Sequence, residues 1–406
     1  MASVYPKLKL VDPCDAFPLD RLRAIDVRSA LTRQRADELI TLAKRGLPRM
    51  HRRGAFAHTM RAVSKSTPAA IRREGDSLRY TANVALGLAY VDEATQREVL
   101  NGDTASDLAL VAAARAEVSG DMGAVALAAW TAAEAAGLHA AALFRRLSAF
   151  LASEEPVETV TCAWTMIAAL AARKLGDTRE LASRAASLLV QAQGPSGLFP
   201  HMLPPSASGR LRAHVGCFAD QVYSIQGLSR LYVARHDPQA LAAAESCAAA
   251  ICAAQGPEGQ WWWHYDTRDG SVVEGYPVYS VHQHAMGPMA LLDLREAGGT
   301  NRLEAVIRGL NWLDHHPEVD APMVSEEDAV IWRKAGRREP RKVVRAISAM
   351  TTALKPNMRL PGLDTLFPPN RIDYECRPYE LGWLLYAWLS GGAIAGAEAD
   401  FAPPKP

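Results

Sequence analysis

Glu158, Asp220 and His282 stand 62 residues apart in this chain, each at the start of an apolar run. A carboxylate can hold or release a proton and an imidazole titrates near neutral pH, so the three have the makings of an acid/base centre. Tyr279, His282, Gln283 and Met286 follow the i, i+3, i+4, i+7 spacing of one helical face, while Val281, Ala285, Met289, Ala290 and Leu291 around them are apolar. Polar groups on so apolar a helix are expensive to hide unless they face a polar cavity or find partners in a core. His282 is the first choice for general acid or base, with Tyr279, Asp220 and Glu375 as its catalytic companions. Gln221 and Gln283 occupy matching positions beside Asp220 and His282, and are expected to bind substrate. His284 lies about 200° round the helix from His282 and points elsewhere.

Asp121, Glu158, Glu274 and Glu380 are further acidic candidates. Asp121, in Ser119-Gly-Asp-Met-Gly123, fits a helix N-cap. In the segment 373–380, Pro378 and Glu380 suit a first helical turn. Arg377 there either grips a carboxylate or phosphate with two parallel hydrogen bonds or closes the fold by pairing with a glutamate, and Tyr379 adds a donor. Arg79, at the start of the first apolar run, has the same two alternatives. Trp261, Trp262, Trp263, Tyr265 and Tyr276 form the densest aromatic cluster. Consecutive residues cannot all face one core, so at least one large ring is expected at a binding surface, with two of the tryptophans left for packing. Trp262, Tyr265 and Tyr276 are the substrate-binding candidates.

The elements that must position these residues come from a repeat. Gln193-Gly-Pro-Ser-Gly197-Leu-Phe199 returns as Gln255-Gly-Pro-Glu-Gly259-Gln-Trp261, again 62 residues on. A period of this size marks stacked helical hairpins. Charged amphipathic runs at 32–45, 139–152, 177–191, 238–254 and 301–315 read as outer helices with a solvated face. Runs at 78–90, 122–135, 157–172, 219–233, 279–294 and 378–389 are apolar nearly all round and need cover on every side. Six buried helices alternating with outer ones describe an all-α double ring, an (α/α)6 toroid. The loops 197–218, 259–277 and 367–378 would then line its funnel.

The expected organisation is one toroid over 1–406, with 1–53 as an N-terminal arm and first outer helix and 317–372 as a basic insertion or lid. Its Arg333, Lys334, Arg337, Arg338, Arg341, Lys342 and Arg345 form either a solvated helix face or a cover over an anionic substrate.

With 406 residues, 49% hydrophobic and a net charge of +1, the chain gives no reason to expect nucleic acid or a membrane surface as partner. Met1 to Asp15 lacks the apolar core of a signal peptide and no apolar run could span a bilayer, so a cytoplasmic protein is expected. The six cysteines are scattered, which suits reduced thiols. Cys247 and Cys252, five apart, do not make a zinc-type pair, and no second pair completes one. No metal and no cofactor are expected, and the oligomeric state is open.

In the helix alternation, and in the run from Trp261-Trp-Trp-His-Tyr265-Asp266 through Glu274-Gly-Tyr276-Pro to Tyr279-Ser-Val-His282-Gln283-His284, the chain resembles the six-hairpin toroid superfamily. That superfamily includes glycoside hydrolases, unsaturated-uronide hydrolases, sugar epimerases and the toroidal parts of polysaccharide lyases. The resemblance implies a carbohydrate-active enzyme using acid/base chemistry on an oligo- or polysaccharide, as a hydrolase or as a uronate epimerase or lyase. The Gln-x-x-x-Gly-x-Trp spacing is also similar to the repeat of triterpene cyclases, which makes a terpenoid or prenyl-diphosphate enzyme the alternative. The Asp-x-Asp-Asp and Asp-Asp-x-x-Asp motifs of such enzymes are missing from the chain. A non-catalytic polysaccharide-binding toroid is the third expectation.

Overall fold

The computed structural model describes residues 20–62 and 71–394; Met1 to Asp15 and Cys14 lie outside them. Among the described residues, twelve helices alternate around a closed double ring. They are α1 (Ala30–Met50), α2 (Leu78–Leu88), α3 (Ala105–Ala116), α4 (Met122–Ala136), α5 (Ala141–Ala152), α6 (Thr159–Ala171), α7 (Arg179–Ala192), α8 (Phe218–Arg235), α9 (Pro238–Ala253), α10 (Gly287–Glu296), α11 (Leu303–Asn311) and α12 (Pro378–Leu389). The even-numbered helices form the inner ring, each packing on the next, and α12 returns to α2. This is the expected (α/α)6 toroid.

Burial follows the sequence pattern. Inner helix α6 buries every residue from Thr159 to Leu170, whereas outer helix α7 buries only a stripe of Leu181, Ala182, Ala185, Ala186 and Leu189. The ring closes where α2 and α12 touch through Gly87 and Gly382; a Cβ on Gly87 would run into the Gly382 carbonyl. Outer helix α3 is absent from the runs expected from sequence. Its start signal is Thr104, whose side chain and backbone exchange hydrogen bonds with Asp107 in a capping box.

The 62-residue period has a specific hydrogen-bond basis. Gln193 Nε2 donates to the carbonyls of Gly197 (2.7 Å) and Ala243 (2.9 Å), and Gln255 Nε2 donates to those of Gly259 (3.0 Å) and Ala305 (2.9 Å). Each partner is the other's equivalent one repeat away, so each glutamine ties its own turn to the following outer helix.

The helix expected over 279–294 is interrupted. Val278–Tyr279 is a short strand and His282–Met286 a π turn before α10 begins. Pro288 explains the widening: it lacks the amide that would bond the His284 carbonyl, and its ring would press on that carbonyl in a regular helix. Trp388 Nε1 of α12 donates to this carbonyl instead, at 2.9 Å.

The inner helices begin at one end of the ring. The other end is sealed by aromatic rings and buried charge. Trp130, Trp383 and Tyr386 pack with centroids 5.4–5.7 Å apart. Beneath them Arg230 pairs with Glu134 (2.9 Å), and Arg21 with Asp293 (2.5 Å) and Glu296 (2.6 Å).

The segment 317–372 supplies the strand Lys334–Gly336, which lies between Val278–Tyr279 and Arg371–Asp373, and the helix Val343–Leu354. The solvated-face alternative for its arginines is corrected at three positions. Arg333 faces inward, Arg337 lies 4.8 Å over the Tyr276 ring and pairs with Asp364, and Arg345 pairs with Glu274 at 3.1 Å. No helix among the described residues is long and apolar enough to cross a membrane. Cys162, Cys217, Cys247, Cys252 and Cys376 are free thiols, as expected of them.

Candidate active site

A cavity of about 340 Å³ opens at the end of the ring where the inner helices start. Its acid/base side is built by a two-residue antiparallel pairing, with Val157 opposite Leu203 and Glu158 opposite Met202. The Thr159 amide donates to the His201 carbonyl at 3.0 Å, so this pairing sets Glu158 and His201 side by side at the mouth. Glu158 is exposed to the cavity and accepts from Thr161 Oγ1 at 3.3 Å.

Asp220 stands behind this pair. It is 0% exposed, accepts from the Cys217 amide at 2.7 Å, and lies 3.2 Å from His201 Nδ1. At the third residue of α8 it both caps the helix and anchors the imidazole. The hydrogen bond to Asp220, then its charge, raises the His201 pKa above the ordinary histidine value against the opposing effect of burial. Asp220 therefore acts on the cavity through His201, a residue the sequence reading did not select.

Opposite lie Tyr279, His282 and Trp263. The His282 ring is packed 4.5 Å from Phe218 and nearly parallel to Trp263 at 5.9 Å. Burial pushes its pKa down to about 3, so it stays neutral at physiological pH. His282 lines the cavity as expected, enclosed by apolar rings, and its neutral form has no extra proton to give as a general acid. Tyr279 lines the cavity as expected, with the Arg333 guanidinium 5.2 Å over its ring. Burial raises the Tyr279 pKa, keeping its phenol protonated.

Two cationic groups flank the cavity. Arg79 makes a two-pronged contact with Asp121 (2.6 and 2.5 Å) and sits 5.7 Å over Trp164. Asp121 also accepts from the Gly123 and Ala124 amides, which makes it the expected N-cap. Arg333 enters from the insertion, 3.6 Å from Asp373 and 3.7 Å from Glu375. Tyr379 lines the cavity and stacks on Tyr80 at 4.8 Å.

Several expected site residues serve the scaffold instead. Gln221 Oε1 accepts from the Phe199 amide (2.7 Å) while its Nε2 donates to the Phe199 and Cys217 carbonyls; Gln283 does the same with Trp261 and Tyr279. Both are fully buried loop anchors, so their assignment to substrate is corrected. Glu375 is buried off the cavity between Arg61, Arg333 and Arg377, whose guanidinium groups outweigh burial and hold its pKa below the usual carboxylate range. It positions arginines. Arg377 donates to Tyr80 Oη at 2.9 Å and closes the ring between α2 and α12. Tyr265 lies wholly in the core. Trp262 and Tyr276 border a separate hollow of about 440 Å³ beneath the insertion, so of the three consecutive tryptophans only Trp263 reaches the main cavity. Glu274 is buried against His264 (3.1 Å) and Arg345. Glu380 caps α12, and burial pushes its pKa up to about 8.

The missed residues carried a signal. His201 and Trp263 are 62 residues apart, as are Cys217 and Tyr279, and all four line the cavity.

No protein-family model matches the chain, and no curated protein does. Among solved structures, an unsaturated glucuronyl hydrolase specific for heparin is similar at a TM-score of 0.57 and 14% identity, covering 89% of this chain and 97% of its own. The Lin0763 protein from Listeria innocua is similar at a TM-score of 0.52 and 12% identity, covering 89% of this chain and 98% of its own. At these identities the likeness is one of fold, the six-hairpin toroid that the sequence resembles.

Proposed function

We propose that the protein is a carbohydrate-active enzyme that accepts a negatively charged saccharide and works by acid/base chemistry, with Glu158 as the proton-transferring group. The observation that carries this is the exposed Glu158 carboxylate beside the His201–Asp220 pair, at the mouth of a cavity walled by Trp164, Trp263 and Tyr279. Aromatic faces stack on the C–H surfaces of pyranose rings. Arg79 and Arg333 give the walls cationic groups suited to a carboxylate. His201, held by Asp220, donates a hydrogen bond to the sugar beside Glu158. Such a group can remove a sugar C5 proton as carboxylate, or protonate a leaving oxygen or a double bond as carboxylic acid. One structure of this fold is an unsaturated glucuronyl hydrolase, which agrees with a uronate as the charged sugar. A polar mouth with Glu, His, Arg and Tyr favours a sugar over an isoprenoid.

The test is a panel of oligosaccharides with and without uronate residues, offered to the parent and to Glu158→Gln. Turnover of a uronate-containing member that falls about 100-fold or more in the variant is the expected result. Equal turnover by both proteins removes Glu158 from the mechanism. Turnover of a prenyl diphosphate and of no glycan overturns the assignment.

A further inference from the structure

His201, Cys217 and Asp220 come from three separate places: the loop before strand Met202–Leu203, the end of strand Val215–Cys217, and the first turn of α8. Their donor atoms all lie within 4.8 Å of one another. Asp220 is wholly buried, while His201 and Cys217 both border the cavity. An imidazole, a thiol and a carboxylate converging from three elements at a cavity wall form a donor set of a particular kind. Magnesium and calcium favour oxygen ligands throughout. Zinc accepts nitrogen, sulfur and oxygen together at tetrahedral spacing.

We propose that His201 Nδ1, Cys217 Sγ and one Asp220 carboxylate oxygen form a zinc site whose fourth position opens into the cavity. Three protein ligands with one position left for water or substrate are the pattern of catalytic rather than structural zinc. The Cys217 amide, donating to Asp220 Oδ2 at 2.7 Å, fixes the carboxylate in the way outer-shell partners orient metal ligands. Binding a dication would expel the thiol proton and leave thiolate and carboxylate facing a positive centre. Glu158 remains free beside the open position. The site goes beyond the assignment of function, since the ion is measured without any substrate.

The decisive measurement uses the intact protein stripped with a chelator and titrated with Co²⁺, then Zn²⁺. One equivalent of Co²⁺ should bind with a thiolate-to-cobalt charge-transfer band, and Zn²⁺ should bleach it. Cys217→Ser should abolish the band. His201→Ala, at a partly exposed position with less bearing on folding, should weaken Co²⁺ binding at least tenfold. Cys252→Ser, on outer helix α9, should leave the band intact. A folded parent, verified by circular dichroism, that takes up no stoichiometric Co²⁺ or Zn²⁺ overturns the proposal. So does a band that survives Cys217→Ser, or His201→Ala binding as tightly as the parent. Turnover on glycans with no metal in the protein would sink this site and leave the functional assignment standing.

Discussion

The indole of Trp388 donates to the backbone carbonyl of His284 at 2.9 Å, standing in for the amide that Pro288 does not have. This contact holds the π turn His282–Met286, which aims His282 and Met286 into the cavity. A buried carbonyl left without a donor costs about 1–3 kcal/mol. Trp388→Phe should therefore destabilise the protein by at least that much in denaturant unfolding. Adding Pro288→Ala returns an amide to the same carbonyl and should recover part of the loss. Strictly additive effects in the double-mutant cycle would show that the two residues do not share that carbonyl.

Under the proposed function, Arg333 meets the charge of a uronate rather than transferring protons. Arg333→Gln should raise KM about tenfold for a uronate-bearing saccharide, with little change for a neutral analogue of the same length. A comparable loss on both substrates would assign the residue to holding Tyr279 and Glu375 in place.

His282 and His284 give the fold an acid-sensitive element. Both rings are buried, and burial pushes each pKa down to about 3. In the unfolded chain they take up protons near the ordinary value of about 6.5. Between these limits the unfolded state binds more protons, so the contribution to stability is whole above about pH 6.5 and falls as the pH drops toward 3. In unfolding experiments between pH 6 and 4, His284→Asn should flatten the decline by about 1.4 kcal/mol per pH unit. An unchanged slope would mean that the His284 ring takes up protons in the folded protein.

Gln193 and Gln255 should be worth similar amounts, because each ties a turn to the next outer helix with two hydrogen bonds of matching geometry. Replacing either by Ala removes both bonds and leaves the turn carbonyl of Gly197 or Gly259 without its glutamine donor, at about 1–3 kcal/mol per site. The glutamines lie in different hairpins, so the double variant should lose the sum within about 0.5 kcal/mol. Thermal or denaturant unfolding gives all three values.

The architecture was legible in the sequence because the inner helices are apolar on every face and the outer ones on a single stripe, a contrast that needs no coordinates. The residues of the site were harder to read, for a physical reason. Helix starts place polar groups at the cavity mouth whether those groups bind ligand or cap backbone. Asp220, Glu380, Gln221 and Gln283 all satisfy amides or carbonyls there. His201 sits in a loop, where helical periodicity is silent, and Arg333 arrives on a strand from the insertion. The repeat interval reaches His201 through its counterpart Trp263, but no repeat accounts for Arg333.

The stack of Trp130, Trp383 and Tyr386 turns what would be a channel through the ring into a blind well. A polymer cannot thread such a molecule from one face to the other. Whatever enters the well leaves by the same door. With one end closed, every group that meets a ligand must be reached from the end where the inner helices start.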